Sequence, residues 1–176
     1  MNKRFLFVCA TLFALCTALL PAADRYAEIY IPNGLAHAVV GDWVKIRLPD
    51  GSTQKHSVLS KTGEGATAKI VMRIETYRDD KLTGTKNEMM TVGEEFVKPP
   101  VPAGKEHVYE RHNEVIAFDG SDLEVDIIKV FQDDALLRTW YLATELPVYG
   151  VAKRVRADGV AEFEVVDFAF AEAKAE

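Results

Sequence analysis

Val44-Lys45-Ile46-Arg47-Leu48 alternates apolar and basic side chains without a break. Successive side chains of a β-strand point to opposite faces of a sheet, so this order predicts a strand with one apolar and one solvated face. Pro49-Asp50-Gly51-Ser52 follows it and predicts a turn, because these residue types favour tight turns. Residues 54–60 then return as the predicted partner strand. The fold therefore begins with an antiparallel pair.

The same pattern continues through the rest of the chain. Ile70, Met72 and Ile74 alternate with polar neighbours in a long predicted strand. Further strands are predicted over residues 87–92, 112–118, 123–131, 136–142, 149–156 and 160–170. No segment of about 11 residues or more has a convincing helical period. The sequence therefore predicts an all-β fold with little helix: a single antiparallel meander of about nine or ten strands that forms a half-barrel or barrel-like sheet.

The first 23 residues differ from the remainder. Lys3 and Arg4 precede an apolar stretch over residues 5–20, and Pro21-Ala22-Ala23 follows it. This order is typical of a secretory signal peptide, and the stretch is short of the roughly 20 residues that span a bilayer. A lipoprotein acylated at Cys16 is the less favoured alternative, because Leu15 is large for the position before such a cysteine.

These observations predict the organisation of the chain. We expect a signal peptide over residues 1–23, an irregular N-terminal segment over residues 24–42 with a helical turn near Leu35, a β domain over residues 43–170 and a frayed tail over residues 171–176. The predicted location is outside the cytoplasm, in the periplasm or the extracellular part of the cell envelope. No stable membrane span is expected after signal removal.

Composition excludes several classes of function. The chain has 27 acidic and 21 basic residues and a net charge of −6, which disfavours broad binding to nucleic acid. Both cysteines, Cys9 and Cys16, lie in the predicted signal peptide, so the exported chain would contain no disulfide and no thiol nucleophile. The motifs of serine hydrolases, zinc proteases and phosphate-binding loops are absent from the sequence. We therefore expect a protein that is not an enzyme and that needs no cofactor.

Two groups of side chains have metal-ligating chemistry. Glu110, His112 and Glu114 would share one face of a strand, and the turn around Asp119 and Asp122 is rich in oxygen atoms. The first group is interpreted as a solvated strand face. The second is interpreted as a hairpin turn, because a calcium loop supplies about six or more oxygens at fixed positions. No metal site is predicted.

The apolar face of the sheet is the best indication of function in the sequence, because something must cover it. Flexible methionine and large aromatic side chains can line an adaptable apolar pocket. Strand parity selects the candidate lining residues: Ile46, Leu48, Met72, Ile74, Val125, Ile127 and Trp140. The leading prediction is an exported non-enzymatic binding or carrier module that holds an apolar small molecule or a lipid on a concave sheet face. The alternative is a structural or protein-interaction component of the bacterial cell envelope, with an envelope protein as its partner.

The C-terminal part contains Trp140-Tyr-Leu-Ala-Thr-Glu-Leu-Pro147-Val-Tyr-Gly150-Val-Ala-Lys153. This stretch resembles the closing motif of a family of uncharacterised secreted bacterial β-rich proteins, in which Trp is followed by Val-Pro-x-Gly-x-Val-Lys, a hairpin and a final strand. The segments 40–44 and 114–120 resemble other parts of the same family. The resemblance implies an organisation similar to the lipoprotein-carrier superfamily (LolA/LolB-like half-barrels), whose members hold acyl chains in a concave apolar sheet.

The residues of the closing stretch also predict a local structure without the resemblance. Proline cannot donate to a strand ladder, so Pro147 should end one strand, and Gly150 permits a tight or bulged restart. We interpret Pro147, Gly150 and Lys153 as a structural motif at a corner of the sheet.

Overall fold

The protein is described from a computed structural model, which defines residues 24–99, 106–118 and 120–171. The predicted signal peptide and residues 172–176 of the predicted tail lie outside these ranges. Helix α1 is a single turn (Gly34–His37), and a 3₁₀ turn covers Gly65–Thr67. The strands are β1 (Asp24–Tyr26), β2 (Ile31–Pro32), β3 (Trp43–Arg47), β4 (Thr53–Thr62), β5 (Lys69–Arg78), β6 (Lys81–Thr91), β7 (Phe96–Val97), β8 (Val108–Phe118), β9 (Ser121–Gln132), β10 (Ala135–Leu142), β11 (Val151–Arg156) and β12 (Ala161–Ala169).

Ten strands form one antiparallel sheet in the order β1-β8-β9-β10-β11-β12-β3-β4-β5-β6, and β2 pairs with β7 separately. The all-β prediction is confirmed, and the sheet is not closed into a barrel. The order differs from that of a single meander. The run β3 to β6 and the run β8 to β12 are two meanders, and the last strand of the second pairs with the first strand of the first. This long-range pairing unites the two halves of the chain.

Two apolar clusters of buried residues stabilise the sheet. The first contains Val44, Met72 and Val125, and the second contains Ile128 and Trp140. Strand β9 contributes to both, because Ile127 belongs to the first cluster while its neighbour Ile128 belongs to the second. Adjacent residues of a strand point to opposite faces, so the sheet is buried on both faces at this point. The expectation of one covered and one solvated face therefore fails along β9.

The N-terminal segment 24–42 is more regular than expected. It contains β1 and β2 in addition to the helical turn α1. Asn33 caps α1 by accepting a hydrogen bond from the backbone N–H of Leu35 at 3.2 Å, and its side-chain amide donates to the carbonyl of Val92 at 2.7 Å. Leu35 inserts into the first apolar cluster. This segment therefore covers part of the sheet.

Candidate functional site

A cavity of about 320 Å³ lies where the N-terminal segment meets the sheet. The sheet contributes a wall of side chains from four neighbouring strands: Ile46 on β3, Phe163 on β12, Val151 on β11 and Trp140 on β10. The small β2–β7 sheet contributes Ile31 and Val97. The register explains part of this wall, because Trp140 lies opposite Arg154 and Arg154 lies opposite Phe163. Residues directly opposite one another share a face of the sheet, so distant parts of the sequence meet here.

His56 and Tyr149 form a hydrogen-bonded pair in the cavity wall. The distance between His56 Nδ1 and the Tyr149 hydroxyl oxygen is 2.6 Å, and His56 Nε2 lies 3.0 Å from Gln54 Oε1. The assignment that satisfies all these atoms has Tyr149 donating to Nδ1 and Nε2 donating to Gln54. Burial, together with the charge of nearby Lys86, lowers the pKa of His56 from 6.5 to about 4. Burial also raises the pKa of Tyr149. Both groups are therefore neutral at pH 7.

Arg154 is the cationic group of the cavity wall. Its guanidinium carbon lies 5.0 Å from the centre of the Trp140 ring and 5.0 Å from that of Phe163. Its Nε lies 2.5 Å from a carboxylate oxygen of Glu162, which also pairs with Arg138 at 2.8 Å. Aromatic faces attract cations through their electron-rich centres. These contacts hold a positive charge beside the apolar side chains of the wall.

The corner between β10 and β11 positions Tyr149. The backbone N–H of Ala143 donates to the carbonyl of Gly150 at 3.0 Å, which closes the loop. Gly150 has φ of 63°, a left-handed conformation that glycine adopts without a Cβ penalty. Pro147 also lies in this corner, whereas Lys153 lies beyond it in β11 and forms an ion pair with Glu164 at 3.1 Å. The loop brings the Tyr149 hydroxyl within reach of His56 on β4.

The structure separates the residues predicted to line a concave face. Ile46 and Trp140 line the cavity. The other five residues lie elsewhere: Met72, Val125 and Ile127 are at most 2% exposed in the first cluster, Ile74 is buried, and Leu48 packs half-buried against that cluster. For Met72, Val125 and Ile127 the assignment as lining residues differs from the structure, because Leu35, Leu146 and Val148 of the same chain share the first cluster with them.

Sequence reasoning missed much of the actual wall. His56, Tyr149, Arg154, Ile31 and Val97 come from five separate segments, and no pattern along the chain connects them. The clearest available signal was Tyr149 beside Gly150 in the corner motif. Strand parity could not identify the cavity, because its cover comes from the short β2–β7 pair.

Among the candidate metal ligands, Glu110 has a structural partner. Glu110 forms an ion pair with Arg25 at 3.0 Å, and Asp119 lies outside the described residues. Within residues 24–99, 106–118 and 120–171, no group of three or more His, Cys, Asp or Glu side chains could hold a metal ion. In the same ranges, no helix has the length and apolar character needed to cross a membrane.

Comparison with known proteins gives no functional assignment. No protein-family model and no curated protein matches the chain. One solved structure, a candidate exported protein with a YmcC-like fold from Bacteroides fragilis, is similar with a TM-score of 0.40 and 7% sequence identity. The alignment covers 81% of this chain and 99% of that one. The resemblance to secreted β-rich proteins and to LolA/LolB-like carriers therefore stays a prediction.

Proposed function

We propose that the protein is an exported, non-enzymatic binding or carrier module that holds an apolar or lipid-like small molecule in the cavity beneath the N-terminal segment. The observation that carries this proposal is the cavity of about 320 Å³ between the β2–β7 pair and the sheet. Small-molecule sites are concave, mostly apolar and upward of about 300 Å³, with a few polar groups that orient the ligand. This cavity has the same characteristics.

The composition of the wall favours an amphiphilic ligand. Val151, Phe163 and Ile46 offer apolar surface, and each Å² of such surface removed from water contributes about 25 cal/mol to binding before the costs of association. Arg154 places a positive charge in this wall, and the His56–Tyr149 pair adds neutral polar groups. An apolar body with a polar or anionic end complements these surroundings.

The proposed ligand position differs from the one expected from strand parity. The apolar face around Met72 and Val125 is filled by the chain's own side chains, so a ligand there would have to displace a packed core. The cavity on the side of Trp140 requires no such displacement. We therefore place the proposed ligand in the space beneath the N-terminal segment.

The direct test combines lipid analysis with dye binding. We expect an organic extract of natively purified protein to contain an acyl compound, and an environment-sensitive apolar dye to bind with competition from fatty acids. Val97→Trp should fill the cavity and weaken dye binding by at least about tenfold, equivalent to about 1.4 kcal/mol. The matched control is Val115→Trp, since Val115 is 63% exposed on β8 and lies outside the cavity wall.

Protein without extractable lipid that also fails to bind the dye would contradict the proposal. Equal dye affinity in Val97→Trp and Val115→Trp would contradict the assigned position. An empty cavity together with stable co-purification of an envelope protein would support the alternative, a structural or protein-interaction component of the cell envelope.

A further inference from the structure

Strand β6 is a long exposed edge of the ten-stranded sheet. It covers Lys81–Thr91 and pairs with β5 on one side, while no strand of the described part of the chain pairs with its other side. Almost every residue of β6 is exposed. The opposite edge strand, β1, has only three residues. Unpaired N–H and C=O groups along an edge form a template for another strand, and short edges limit this risk. The β6 edge, with 11 residues, is too long to be protected in this way.

The part of β6 after its bulge is regular. The register with β5 shifts between Thr76 and Tyr77, which leaves Thr83 without a direct partner. From Gly84, opposite Thr76, to Thr91, opposite Lys69, the register continues without interruption. Bulges twist an edge away from pairing, so the bulge protects the beginning of β6 and leaves residues 84–91 available.

Charge and symmetry restrict how two such edges can meet. A twofold axis perpendicular to a continuous sheet pairs residues that share a face, so the axis must pass through a residue of β6. Moving the axis by one residue shifts the pairing of the two strands by two residues. With the axis at Lys86 two lysines face each other, and with the axis at Glu88 two glutamates do. With the axis at Asn87, Lys86 of each copy faces Glu88 of the other. Opposite charges stabilise directly paired strands, and like charges destabilise them.

We propose that the β6 edge joins two copies of this chain in an antiparallel β6–β6 ladder whose twofold axis passes through Asn87. Within one chain Lys86 Nζ already lies 2.8 Å from Glu88 Oε2, so two copies would form an alternating cluster of four charges. On the other face Met89, which is 69% exposed, would lie opposite Thr85 and lose part of its contact with water. The ladder extends the sheet of each copy across the interface.

Cysteine crosslinking tests the axis. In a chain with Cys9 and Cys16 replaced by serine, Asn87→Cys places two thiols directly opposite each other, at a Cβ separation of about 4.5–5.5 Å. Mild oxidation should therefore convert it to a covalent dimer. Thr85→Cys is the matched control, because its two copies would lie four residues apart along the ladder, about 13 Å. A mixture of Thr85→Cys and Met89→Cys should crosslink between the two variants.

Charge reversal tests the pairing itself. Lys86→Glu and Glu88→Lys should each shift the protein to monomer in sedimentation analysis, and the double variant should restore the dimer. Circular dichroism melting curves check that each variant is folded. A wild-type protein that is monomeric at high concentration would overturn the proposal. So would equal crosslinking of Asn87→Cys and Thr85→Cys, or a β6 edge that pairs only with a different protein.

Discussion

Val148 has φ of 69° although its side chain is branched at Cβ and almost fully buried. This left-handed conformation is unfavourable for a valine, and the hydrogen bond from the Tyr149 N–H to the Pro147 carbonyl, 2.8 Å long, closes a γ-turn across it. Gly34 packs against the same corner: a Cβ at position 34 would lie 2.2 Å from the carbonyl carbon of Tyr149. The packing of this corner fixes the position of Tyr149 beside His56.

At the residue scale, His56 should make the stability of the protein depend on pH. Its pKa is about 4 in the folded protein and 6.5 in an ordinary environment. The unfolded chain therefore binds the proton first as the pH falls, and acid favours unfolding between pH 6.5 and about 4. The free energy of unfolding should decrease in this window by up to about 1.4 kcal/mol per pH unit from His56 alone. Urea denaturation at successive pH values measures this slope.

His56→Gln provides the comparison, because it lacks the titrating ring. The difference between its pH profile and that of the wild type isolates the contribution of His56 from those of the carboxylates. His37→Gln is the matched control, since the side chain of His37 is 67% exposed on α1. Parallel profiles for the wild type and His56→Gln would show that burial does not suppress protonation of His56.

At the scale of elements, a buried carboxylate connects the N-terminal segment to the end of the sheet. Asp42 is 2% exposed, and its two carboxylate oxygens accept hydrogen bonds from the backbone N–H groups of Val39, at 2.9 Å, and Ala171, at 2.8 Å. One side chain thus connects the segment before β3 with the residue that follows β12. The tail predicted to fray at residue 171 is held at that residue.

We expect Asp42→Asn to destabilise the protein by about 1–3 kcal/mol. The amide NH₂ group of asparagine would replace one of the two accepting oxygens, and it would then face a backbone N–H donor instead of accepting a hydrogen bond from it. Chemical denaturation measures the change. Asp134→Asn is the matched control and should change stability by less than about 0.5 kcal/mol, since the Asp134 side chain is 89% exposed. Equal stability of Asp42→Asn and the wild type would show that this contact does not hold the segment.

Alternation along the chain predicts strands well where one face is solvated, as in β3. Alternation does not identify the inner face of a strand where both faces are buried. Ile127 and Ile128 are adjacent and both buried, so the pattern of β9 gives no single inner face. Strands β1, β2 and β7 have two or three residues each, too few for a period to be visible. For this reason the cavity, whose cover is the β2–β7 pair, could not be predicted.

At the scale of the whole molecule, the pairing of β12 with β3 makes one sheet from two meanders. Ile46 lies opposite Val165, and both belong to the first apolar cluster. The same cluster contains Met72 from the first meander and Val125 from the second. Because the two halves share this core, neither can bury its part of the first cluster when the other is unfolded.

The two tryptophans test this cooperativity, since Trp43 lies in β3 and Trp140 in β10. Trp43→Phe leaves a fluorescent probe only in the second meander, and Trp140→Phe leaves one only in the first. In each variant we expect tryptophan fluorescence and far-ultraviolet circular dichroism to report the same urea midpoint. A fluorescence midpoint that differs from the dichroism midpoint of the same variant would show that the halves unfold separately.

The sequence by itself determined the longer strands, the turns between them and the all-β class, because alternation and turn chemistry are local properties of the chain. It also provided the prediction of export. Only the tertiary structure decided the order of the strands, the filling of the apolar face and the meeting of His56 with Tyr149 and of Arg154 with Trp140. The physical reason is that these contacts depend on which strands pair over long sequence separations, and β12 with β3 is the pairing that local patterns leave open.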